Sequence, residues 1–137
     1  MSFRDEFIDK VCVPSIEKEK REVLKKTEET IKEYFKELEK EIQAKKPSNY
    51  IDFSNNMFNI ASLRFNRNAI SFVRNNDRIE VWSSKVPETV TYPIIAEQEQ
   101  QDTFFVKDNA CVNAEGENLD EVIIERYLEK VFKECIQ

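Results

Sequence analysis

Four arginines and three phenylalanines share one short stretch of this chain. Arg64, Arg67, Arg74 and Arg78 interleave with Phe58, Phe65 and Phe72, with asparagines between them. On a sheet, aromatic rings can stack unpaired bases while arginines track phosphates, so this pattern suits a polyanion or a single-stranded nucleic acid. Two observations weigh against it. The whole chain has a net charge of −6, which repels polyanions. Strand parity also sends Arg64 and Phe65 to opposite faces. The competing reading is a meander with phenylalanines inward and arginines outward.

Other chemistry is excluded by what the chain lacks. With no histidine and one glycine, Gly116, it has no Ser-His-Asp or Cys-His nucleophile system. It has no histidine zinc site and no glycine-rich phosphate cradle. The acidic series Glu97, Glu99, Asp102, Asp108, Glu115 and Glu117 lacks the calcium-loop pattern. The three cysteines, Cys12, Cys111 and Cys135, are odd in number and widely spaced, which fits neither a disulfide framework nor a zinc site. No catalytic residue, metal or cofactor is expected, and the chain reads as non-enzymatic.

What remains is contact chemistry. Trp82 and Tyr92 are residue types favoured as interface anchors. Ile31, Tyr34, Phe35, Leu38 and Ile42 form a narrow apolar stripe on a highly charged helix. Such a stripe can pack on a sheet, or pair with a second copy of itself through residues 15–45. The charge is uneven. Residues 1–46 balance to zero, whereas residues 83–137 carry five basic and twelve acidic side chains. An acidic C-terminal part suits a basic protein partner and repels nucleic acid and anionic membrane.

These residues need positioning elements. The 137 residues fit one α+β domain, with residues 1–46 helical, 50–113 a β-meander and 118–136 a closing helix. Ser2 can cap a first helix carrying Phe3, Phe7, Ile8 and Val11, and Pro14 should kink or break it. A second helix is predicted from Ser15 to Lys45. Asparagine clusters at 55–56, 66–68 and 75–77 stand where hairpin turns usually use glycine, because asparagine tolerates the left-handed region. Between them we expect four or five antiparallel strands, near 57–65, 69–74, 78–84, 89–96 and 103–107, with Pro93 marking an edge or bulge. The polar run 97–102 reads as an exposed hairpin loop. Asn118, with Glu121 three positions on, reads as the cap of the last helix.

Nothing at the N-terminus resembles a signal peptide, and no stretch is apolar enough to span a membrane. The expectation is a cytoplasmic protein that works by protein–protein binding, as an inhibitor, immunity protein, antitoxin or chaperone would. The alternative is polyanion binding through the Arg/Phe strands.

Overall fold

The computed structural model describes residues 2–11, 18–45, 51–55, 59–86 and 97–136. Within them, helices α1 (Phe3–Val11) and α2 (Lys18–Ala44) precede strands β1 (Ile51–Ser54), β2 (Asn59–Phe65), β3 (Asn68–Asn75), β4 (Arg78–Lys85), β5 (Glu97–Lys107) and β6 (Ala110–Val112). Helix α3 (Glu121–Phe132) follows and tightens into a 3-10 turn over Lys133–Cys135. The architecture is the expected α+β arrangement. All six strands form one antiparallel meander in sequential order.

Asparagine makes that meander possible. The β2–β3 and β3–β4 turns place Asn66 at φ 56° and Asn76 at φ 60°. The β5–β6 turn places Asp108 and Asn109 at φ 50° and 64°. Two-residue hairpins need positive φ, and the short amide side chain accepts it with little strain. Gly116, at φ 79°, serves the β6–α3 connection instead.

The long helix is held by four buried positions, Leu24, Thr27, Ile31 and Phe35, spaced by three or four residues. This stripe packs on the face of the sheet that carries Leu63, Ile70, Phe72, Ile79, Val81 and Phe104. The rings of Phe35 and Phe72 lie 5.6 Å apart. On the same face α3 buries Ile123, Ile124, Tyr127 and Phe132. Two polar ties fix the layers. Arg74 on β3 donates to Glu28 of α2 at 3.3 Å. The buried Asn68 donates to the Val131 carbonyl at 3.0 Å and to the Cys135 sulfur at 3.2 Å. Ser2 caps α1 by accepting the Asp5 amide at 3.3 Å.

Three expectations change. Residues 97–102 are not a loop: they form the first half of β5, with Glu97 opposite Lys85 and Glu99 opposite Ser83. Glu97 to Gln100 are exposed, so no alternation betrays the strand. Strands β1 and β6 raise the count to six among the described residues. The cap of α3 is Asp120, which accepts the Ile123 amide at 3.1 Å, rather than Asn118, which bridges to Val112. A carboxylate at this end also suits the helix dipole. The break at Pro14, the strand expected at 89–96, Pro93, Cys12, Tyr92 and Phe58 lie outside the described residues. No described helix is long and apolar enough to cross a membrane.

Phe72 is fully buried at the centre of this packing. Phe72→Ala should cost about 3–5 kcal/mol, read as a lowered urea midpoint with an unchanged slope. A loss under 1 kcal/mol would mean that the α2–sheet contact is not where stability resides.

Candidate functional site

Helix α2 continues past its last buried residue, Phe35, and runs alongside α3. Between the two helices lies a groove of about 560 Å³. Its apolar floor is Tyr34 and Leu38, one helical turn apart. Its rims are Glu33, Glu37 and Glu41 from α2, and Glu121 and Glu125 from α3, with Lys36 the one cation among the described residues of the lining. Spacings of four residues put each glutamate series along a single line of its helix.

The electrostatics follow from that geometry. Burial and the adjoining Glu125 carboxylate, aided by the charges of Glu121 and Glu41, push the Tyr34 phenol up to about 12. The hydroxyl therefore stays protonated and can donate. The groove offers carboxylate acceptors over a partly apolar floor.

A second polar cluster locks α3 to the sheet. On β5, Asp102 accepts from the Tyr127 hydroxyl and, at 2.9 Å, from the Asn113 amide. The buried Asn113 also donates to Glu117 at 3.0 Å, and its carbonyl oxygen accepts the amides of Glu115 and Glu117. Arg126 closes a two-pronged contact on Glu117 at 2.6 and 2.8 Å. Hydrogen bonds from Arg126 and Asn113 lower the half-buried Glu117 carboxyl to about 2. Burial and the Asp102 hydrogen bond raise the Tyr127 phenol to about 12. Every polar atom of the Asn113 side chain is used, so this cluster fixes structure.

The residues singled out from sequence scatter. Ile31 and Phe35 lie in the core, so their apolar surface is already covered within the chain. Tyr34 and Leu38 floor the groove, and Ile42 is half-buried further along α2. Trp82 lies on the opposite face of the sheet, where it donates to Glu80 at 3.0 Å. The four arginines do not share a surface. Arg64 is exposed opposite Asp52, and Arg67 occupies a turn. Arg74 pairs with Glu28 on the helix side. Arg78 stacks over Phe105 at 5.6 Å on the other face. Cys111 is buried and its thiol is pushed up to about 11, which leaves little thiolate for reaction. Among the described residues no group of three or more acidic or cysteine side chains converges in a way that could hold a metal ion.

The groove glutamates escaped the sequence reading because nothing ranked them among 27 acidic residues. One signal was available. Like charges four residues apart cost a helix about 0.2–0.5 kcal/mol per pair, and the series 33, 37, 41 repeats that cost. No family model, curated protein or solved structure matches this chain.

Two outcomes follow from the titrating groups. Tyr34 and Tyr127 hold their protons more tightly folded than unfolded. The stability they supply is complete below pH 10.0 and is lost as pH rises toward 12. A variant carrying Tyr34→Phe and Tyr127→Phe should lose most of that alkaline slope in urea midpoints. Glu117 works in the opposite sense: its contribution is present above pH 4.5 and vanishes as pH falls toward 2. Asn113→Ala should cost about 2–3 kcal/mol by leaving several partners unpaired, measured by urea denaturation at neutral pH.

Proposed function

We propose that this protein acts by protein–protein binding, with the α2–α3 groove receiving a basic amphipathic segment of its partner. The observation that carries the reading is five carboxylates around the floor of Tyr34 and Leu38, with Lys36 alone opposing them among the described residues. Lysine or arginine side chains can lay their methylene stems on that floor and keep their charges on the rims. A tyrosine at the centre is a residue type enriched in binding hot spots. An inhibitor, an immunity protein, an antitoxin or a chaperone would each use such a surface, in a cytoplasmic setting.

Charge also argues about what the groove would not take. A second copy joined to it by a twofold axis would set its five glutamates against five more. Like-charge juxtaposition costs several kcal/mol, so a partner of opposite sign is favoured there. The scattered arginines offer no comparable concentration of charge for a polyanion.

The test is titration of an amphipathic Lys/Leu helical peptide, and of its Glu/Leu counterpart, against the full chain. The Lys/Leu peptide alone should bind, and its affinity should fall as salt rises. The triple variant Glu37→Lys, Glu41→Lys, Glu125→Lys should lose at least about tenfold in affinity, or 1.4 kcal/mol, while its circular dichroism stays that of the parent. Equal binding of both peptides, or unchanged affinity in the folded variant, would overturn the reading.

A further inference from the structure

Both α2 and α3 lie on one face of the sheet, and the other face carries its own apolar surface. Trp82 stands opposite Ser71, Val73 opposite Glu80, and Phe105 opposite both Arg78 and Val112. Phe105 is 45% exposed. A second surface not covered by any described residue lies at the start of the chain. Helix α1 buries nothing: Phe3, Phe7, Ile8 and Val11 are 79%, 54%, 43% and 56% exposed. They recur at steps of four, one and three, which is a single stripe. Among the described residues, one chain thus carries an exposed apolar helix and a sheet face on which Phe105 is exposed and Val73, Trp82 and Val112 are partly buried.

We propose that α1 of one copy lies on the open sheet face of a second copy, over Trp82 and Phe105, in a reciprocal twofold exchange. The dimensions agree. From Phe3 to Val11 the stripe is about 12 Å long. Trp82 and the Arg78 position paired with Phe105 are four residues apart on β4, or about 14 Å. The charges agree as well. Arg4 shares the stripe's side of α1 with Ile8 and Val11, and Glu80 lies between Arg78 and Trp82 on the open face of β4.

The length of the connection selects the second copy over the same chain. The first turns of α2, at Glu19, Glu22 and Val23, lie near Asn109 and Ala110 at the β6 edge. To reach the far face of its own sheet, α1 would have to pass around that edge and cross two packed layers, about 20 Å. Seven chain steps join Val11 to Lys18, and their fully extended reach is about 25 Å. Little slack remains for the turn. A connection that could reach its own sheet only when nearly fully extended favours exchange between protomers, and a reciprocal exchange closes by a twofold axis. This inference is independent of the groove.

Trp82 is the only tryptophan, so its fluorescence reports directly on this face. The full chain, followed by light scattering on a sizing column, should have twice the 16.3 kDa mass of one copy. Its tryptophan should resist acrylamide. The variant Phe3→Ser, Phe7→Ser, Val11→Ser changes only exposed side chains and should stay folded. It should run as a monomer, with a red-shifted emission and several-fold stronger quenching. A parent that stays monomeric at high concentration, a dimer that survives the triple change, or a monomer whose tryptophan is nonetheless shielded by α1 would each overturn the proposal. The last outcome would place α1 on its own sheet.

Discussion

The packing of one narrow helical stripe against one sheet face governs the rest of this molecule. Leu24, Ile31 and Phe35 are buried against the strands, and Thr27 between them bonds back to the Val23 carbonyl at 2.9 Å. Burying each large apolar side chain contributes about 1.5–3 kcal/mol. A helix this rich in lysine and glutamate has little else to hold it in place. The stripe ends at Phe35, but the helix runs on to Ala44. Around and beyond that point its side toward α3 leaves Tyr34 and Leu38 only partly covered, and the groove is the result. The groove is therefore a consequence of helix length exceeding the length of the sheet contact.

The same contact explains why the sheet needs a polar lock. Helix α3 reaches the strands late in the chain, and its near end is pinned through Asp102, Asn113 and Tyr127. Asp102 occupies a helix-side position opposite Val81, where a bare carboxylate would be costly. It is tolerable because Tyr127, Asn113 and the Thr103 amide all donate to it. Fully satisfied networks of this kind specify one arrangement of their elements. Here the arrangement is the position of α3, and with it the far wall of the groove.

Much of the architecture was legible in the residues. The helical periodicity of α2, the alternation Ile79–Val81 and Phe104–Val106, and the asparagine turns predict a helix, a meander and a closing helix. Each signal records a local physical demand: a buried stripe, a half-buried strand, a positive φ. Strand β5 was misread where that demand is missing. Its first residues extend the sheet into solvent, so polar side chains suffice on both faces. The cap of α3 was misplaced by two residues because Asn118 and Asp120 are both good caps, and only the bridge from Asn118 to Val112 decides between them. The groove was half legible. Tyr34 and Leu38 stand out on an amphipathic helix, but Glu121 and Glu125 join them only once α3 has been packed on the sheet.

Among the described residues, two surfaces stand apart from the core, and they differ in charge. The groove concentrates one sign of charge around a small apolar floor, so charge opposes its self-pairing and favours a cationic segment. The open sheet face carries Glu80 and Arg78 beside Trp82 and Phe105, a mixed-charge apolar surface. The exposed helix at the start of the same chain carries Arg4 among phenylalanines and aliphatic residues. Like-charge exclusion does not operate there, and the apolar surface on each side remains costly until something covers it. On the two proposed readings, the acidic groove would receive a partner and the far sheet face a second copy. The two readings are compatible, because α2, α3 and the sheet core stand between the two surfaces.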